Sequence, residues 1–158
     1  MEELKIPTRL ITVDVLTADG NRTLGSMFHP ESLHETGSAE DILDDLVDER
    51  CFVPFLPEAA EEGPFLLNKR QIVSVGLPDR SVADLRPVEA GDEGTPERCT
   101  LTLTVGPDLT GRPLVETPVT ASRLLDKFNA ARRFLPFVTD EGLVFIQHSY
   151  ILRIRRTA

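Results

Sequence analysis

Apolar positions recur along this chain in two rhythms. Ile11, Val13 and Val15 alternate with Thr12 and Asp14, the period-two pattern of a half-buried strand. An Asp19-Gly20 pair follows, and the chain returns through Thr23 to Phe28, so this stretch predicts a β-hairpin. From Ser38 the rhythm changes. Ile42, Leu43, Leu46 and Val47 form one stripe at helical spacing, which predicts a helix over Glu40–Glu49. Ser38 is placed to cap it, and Asp41 puts negative charge in the first turn, where the helix dipole favours it. The segment Cys51-Phe-Val-Pro-Phe55 then reads as a strand, with Pro54 implying an edge or a bulge. Cys51, set among these apolar residues, reads as a buried thiol behaving as a small hydrophobe.

The same order of elements is written a second time. Set Ser38–Pro57 against Thr120–Thr139, at an offset of 82, and seven of 20 positions are identical: Ala39/Ala121, Leu43/Leu125, Asp44/Asp126, Arg50/Arg132, Phe52/Phe134, Pro54/Pro136 and Phe55/Phe137. Chance gives about one match at average composition. Thr120 stands where Ser38 does, and Leu124, Leu125 and Phe128 restate the apolar stripe, predicting a helix over Ser122–Ala131. Leu101, Leu103 and Val105 alternate before Gly106 and Gly111, with Leu114 expected to begin the return. At the end of each copy an apolar run, a polar four-residue break and a second apolar run correspond at an offset of 79. Phe65-Leu-Leu, Asn68-Lys-Arg-Gln and Ile72-Val-Ser-Val match Val144-Phe-Ile, Gln147-His-Ser-Tyr and Ile151-Leu-Arg-Ile.

These patterns predict an α+β, mostly β chain of two tandem ββαββ repeats, each a strongly bent small sheet or partly open barrel with one helix. Repeat one covers 8–77 and repeat two 99–156, joined by an acidic Pro/Gly linker over 78–98. Phe52, Phe134, Leu43 and Leu125 are expected in the core. The closing run–break–run resembles the tail of small Sm-like and SH3-like barrels, where one tight turn joins two strands. On His29-Pro30, Asp44, Phe52-Val-Pro-Phe55, Asn68-Lys-Arg-Gln-Ile72, Leu125-Asp-Lys-Phe-Asn129 and Phe134, the chain also resembles an uncharacterised bacterial family of small β-rich domains. That resemblance implies no known activity.

Charge is spread unevenly over the 158 residues. The net charge is −9. Residues 1–90 hold 8 Lys and Arg against 18 Asp and Glu, whereas residues 91–158 hold 9 against 8. An acidic first half repels phosphate backbones, which argues against nucleic acid as the partner of the whole chain. Two cysteines make no disulfide framework, and no apolar run is long enough to span a bilayer. With Met1-Glu-Glu-Leu-Lys-Ile-Pro7 lacking the pattern of a secretory signal, a cytoplasmic protein is expected, with no membrane association.

The candidate chemistry is sparse. His29, Glu31, His34 and Glu35 cluster before the first helix, but their spacing is no known ligand pattern, so no metal is expected there. Asp41, Asp44, Asp45 and Asp48 make an acidic helix face, which is either a solvated surface or a partner surface. Arg123, Lys127 and Arg133 turn the matching region of copy two basic, and Arg153, Arg155 and Arg156 end the last strand. The opposed faces suggest docking within a chain or head-to-tail assembly into a homo-oligomer. The turns at Asn68–Gln71 and Gln147–Tyr150 occupy places where small barrels can meet RNA, with Tyr150 able to stack a base. No Gly-rich phosphate loop, GxSxG elbow or HExxH helix occurs, so neither catalysis nor a cofactor is expected. The function expected is a non-catalytic protein-interaction or scaffold module in a bacterial cytoplasm. The alternative is a small-barrel binder of nucleic acid or an anionic ligand through the basic second repeat.

Overall fold

The computed structural model describes residues 8–30, 38–59, 61, 63–78, 98–114, 124–130 and 133–157. The first half runs β1 (Thr8–Thr17), β2 (Arg22–Pro30), α1 (Ser38–Val47), β3 (Phe52–Pro57), β4 (Phe65–Asn68), a 3₁₀ turn at Lys69–Gln71, and β5 (Ile72–Leu77). The second runs β6 (Cys99–Leu103), β7 (Leu109–Pro113), α2 (Leu124–Ala130), β8 (Phe134–Thr139), β9 (Gly142–Gln147), a 3₁₀ turn at His148–Tyr150, and β10 (Ile151–Arg156). Each half thus has five strands. The return strand β7 starts at Leu109, before Leu114, and Gly111 lies inside it.

All ten strands join one antiparallel sheet in the order β10-β6-β7-β8-β9-β5-β1-β2-β3-β4. Each half is expected to form its own bent sheet or partly open barrel; in the structure the last strand of the first half, β5, pairs with β9 of the second, and the two halves share one sheet. Within each half the order is the same, fifth-first-second-third-fourth. The sheet is open, with β10 and β4 as its edges.

Local sequence explains the elements. The β1–β2 hairpin turns at Asp19-Gly20, where Gly20 takes φ 86° and Asp19 accepts hydrogen bonds from Thr17 and Asn21. A Cβ on Gly111 of β7 would clash with the Val138 carbonyl oxygen of β8, and one on Gly25 of β2 would clash with the Leu56 carbonyl oxygen of β3. Pro54 and Pro136 sit inside strands flanked on both sides, yet each falls one residue past the end of one ladder. The β2–β3 pairing stops at Phe55 and the β7–β8 pairing at Phe137. On the other side Pro54 stays paired with Leu66 and Pro136 with Phe145, and the Pro136 carbonyl still accepts from Leu114 N–H at 2.9 Å, so the N–H that Pro136 lacks falls where the β7–β8 ladder ends.

Both faces of the sheet are covered where the halves meet. One core cluster joins Ile11, Val13, Val15, Ile42, Leu43, Leu46, Ile72 and Val75 of the first half to Phe134, Leu143 and Phe145 of the second. The other joins Leu16 and Val73 to Cys99, Leu101, Leu103, Phe137 and Ile146. A bulge on β5 opposite Leu16–Thr17 sends Val73 into this second cluster, while Val75 and Leu77 stay in the first. Helix α1 lies against β2 and β8, so it also bridges the halves.

Two expected core residues are not buried. Leu43 and Phe134 are 5% and 1% exposed, whereas Phe52 is 50% and Leu125 65% exposed. The difference follows from position in the sheet. Phe134 opens β8, which is flanked on β9's far side by the first half, whereas Phe52 opens β3, beside the free edge β4. Cys51, just before β3 and expected to be buried, is exposed, and Cys99 is the buried thiol.

Candidate interaction edges

The two polar turns expected to face outward meet each other at the seam between the halves. Gln147, 3% exposed at the end of β9, donates from Nε2 to the carbonyl oxygens of Lys69 (3.0 Å) and Ile72 (2.7 Å). Its Oε1 accepts from Arg133 Nε at 3.1 Å, and Tyr150 donates its hydroxyl proton to the Arg70 carbonyl at 2.7 Å. Tyr150 also packs against the second core cluster, so its ring is engaged rather than presented for a base. Gln147 was not singled out by sequence reasoning. Its position where an apolar run meets a polar break is the one signal that marked it.

The acidic helix face is partly tied down. Lys69 is fully buried, and its ammonium meets Asp48 Oδ1 at 2.5 Å. Arg50 reaches the same carboxylate at 2.7 Å and Asp45 at 3.1 Å. The hydrogen bond from Arg50, seconded by Lys69, holds the Asp48 carboxyl well below the ordinary carboxylate range against the opposing effect of burial. Asp48 therefore anchors the turn after α1 to the turn before β5, while Asp45 holds Arg50 within the first of these turns. Asp44 is exposed, and Asp41 lies in the first turns of α1.

The expected basic face of copy two is described only in part. Lys127 is buried at 5% exposure and Arg133 is half-buried on Gln147; Arg123 lies outside the described residues. Arg153, Arg155 and Arg156 are exposed along β10. His29 lies in β2 paired with Arg9, and His34 is outside the described residues. Among the described residues no group of three or more His, Cys, Asp or Glu side chains could hold a metal ion. No helix among them is long and apolar enough to cross a membrane.

One cleft, of about 150 Å³, opens at the seam beside Asp14, Arg22, Ser74, Leu103 and Glu141. Arg22 Nε stands 3.7 Å from Asp14 Oδ1, which has no hydrogen-bond partner. Among the described residues, the lining supplies no histidine, cysteine or lysine to act beside these carboxylates.

The apolar surface lies elsewhere. On β4, Phe65 and Leu66 are 37% and 66% exposed, and on neighbouring β3 Phe52, opposite Asn68, is also exposed. On β10, Leu152 and Ile154 are 64% and 39% exposed. Among the described residues, both edges thus present backbone with no strand partner together with large apolar side chains, a combination that invites strand pairing. No protein-family model, curated protein or solved structure matches the chain.

Proposed function

We propose that this chain is a non-catalytic interaction or scaffold module, built from a duplicated small β domain and acting through the open edges of its sheet in a bacterial cytoplasm. The observation that carries this reading is the apolar character of both edges: Leu66 on β4 and Ile154 on β10. Such side chains on unpaired strands favour association, and natural sheets otherwise keep their edges polar or covered.

The duplication is supported by more than the identities. Both halves follow one strand order and close with a 3₁₀ turn before the last strand, the feature on which the likeness to Sm-like and SH3-like barrels rests. The expected ββαββ order is corrected to ββαβββ: the closing run on either side of the turn forms two strands, which lie at opposite ends of each half's strand order. Bulges fall opposite Leu16–Thr17 on β5 and between Ile151 and Arg153 on β10, placing Val73 and Leu152 alike. Gly25 and Gly111 make the same close approach. Lys69 N–H donates to the Cys51 carbonyl as His148 N–H donates to that of Arg133, both at 2.9 Å.

The test is association measured on edge variants. Leu66→Lys and Ile154→Lys, each replacing an exposed side chain, are expected to weaken by about tenfold or more the complexes formed by the wild-type chain, with itself or with another protein. Complexes unchanged by both substitutions would defeat the reading. A second reading, binding of nucleic acid or an anionic ligand, draws on the exposed Arg153, Arg155 and Arg156. It requires an RNA or nucleotide affinity that falls steeply with salt and is lost on reversing Arg153 and Arg155.

A further inference from the structure

The exposed apolar side chains are not scattered. Carry the offsets of 82 for helix and third strand and 79 for the closing strands through the fold, and six of the eight exposed large hydrophobics among the described residues land on partners at the seam between the halves. Phe52 corresponds to Phe134, Leu66 to Phe145, Leu152 to Val73 and Ile154 to Val75; these four partners are 1%, 0%, 0% and 0% exposed. Leu125 corresponds to Leu43, buried on the helix that lies against β8. Phe65 corresponds to Val144, half-buried opposite Gly76. What the chain buries where β5 meets β9, it leaves bare on β10 and β4.

We infer that β10 of one chain pairs with β4 of a second copy, reproducing between chains the antiparallel β5–β9 junction found within one. This rests on the duplication and edge-association reading above and names its partner as the chain itself. Within the chain Val75 stands opposite Phe145, and Ser74 opposite Ile146. The same register between chains sets Ile154 opposite Leu66, Arg153 opposite Leu67 and Arg155 opposite Phe65.

Arginines on an edge strand ordinarily discourage pairing. Here the surface they would meet is acidic. The first half carries 18 acidic residues against 8 basic ones, and Glu58 and Glu61, both exposed, lie in the loop that leads into β4. Arg155 and Arg156 would approach that end of the strand, so charge favours head-to-tail contact and opposes contact of like edges. The interchain junction has a weaker polar lock than the internal one. Asn68 replaces Gln147, is one methylene shorter, and already accepts from Arg70 N–H. Association is therefore reversible. Because the contact is heterologous, each copy leaves one edge open until a ring closes.

The experiment is sedimentation of the full chain across a concentration series, with complementary edge variants. Wild type should form species larger than a dimer as concentration rises. Leu66→Lys and Ile154→Lys should each weaken association about tenfold or more, since each blocks one edge. Mixed one to one, they should form dimers and nothing larger, because only one intact pair of edges remains. Leu24→Lys, at an exposed residue away from both edges, should behave as wild type. In a Cys51→Ser background, Leu66→Cys mixed with Ile154→Cys should give an oxidised dimer that neither yields alone. A wild type that stays monomeric up to its solubility limit overturns the inference. So does self-association that survives in both variants, or two monomeric variants that fail to dimerise when mixed. If the chain is monomeric yet the same lysines abolish a complex with a different protein, self-pairing fails while the edge-interaction reading stands.

Discussion

Phe134→Ala separates the seam from the free edge, because Phe52 is its sequence equivalent in the other half. Phe134 is 1% exposed and belongs to a cluster otherwise made largely of first-half residues, including Ile11, Ile42, Ile72 and Val75. Truncating a fully buried Phe costs about 3–5 kcal/mol, the lost transfer energy plus the cavity. For a chain of this length each kcal/mol moves the midpoint by about 2–4 °C, so the expected loss is roughly 6–20 °C. Phe52 is half exposed. Its truncation removes about half of a full Phe burial and opens no closed cavity, or about 1 kcal/mol. Both variants should be unfolded in urea at a low protein concentration, where association contributes nothing, and followed by circular dichroism. The slope should be unchanged for each. Near-equal midpoints for the two variants would refute the claim that the seam, rather than the local motif, buries Phe134.

The other expectations follow from the polar contacts. Gln147→Ala strands the carbonyls of Lys69 and Ile72 at the seam and should cost about 1–3 kcal/mol, with amide exchange rising first in β5 and β9; protection unchanged there would show that the glutamine does not hold the seam. Asp48→Asn should cost about 2–3 kcal/mol at neutral pH. That is less than the loss of a fully buried partner, because Asp48 is one-third exposed while Lys69 is buried. Since folding lowers the Asp48 pKa, its stabilisation is complete above the ordinary value of 3.8 and is lost as pH falls through the folded value. Wild type and Asp48→Asn should therefore differ most near neutrality and converge in acid, and a difference that grows on acidification would contradict the assignment.

Several features of this protein follow from its sequence alone. Alternation in Ile11–Val15, the helical stripe Ile42–Val47 and the polar breaks at Asn68–Gln71 and Gln147–Tyr150 located strands, helix and turns, because local periodicity dictates which side of an element can be buried. The matched segments also implied matched elements, and Phe52 and Phe134 do open corresponding strands. Burial was not decided there. Identical residues in identical local settings, Phe52 with Phe134 and Leu43 with Leu125, end up on opposite sides of the solvent boundary. A sheet of two like units in one chain has one internal junction and two ends, and periodicity carries no information about which edge meets which. The fate of the charges was equally hidden. Asp48 and Lys69 lie 21 residues apart, and Gln147 lies 78 from Lys69. Only the pairing of β5 with β9 brings Gln147 to Lys69. That pairing also makes a seam of two turns whose composition alone suggests open surface, since the buried carbonyls there need donors that only the other half can supply.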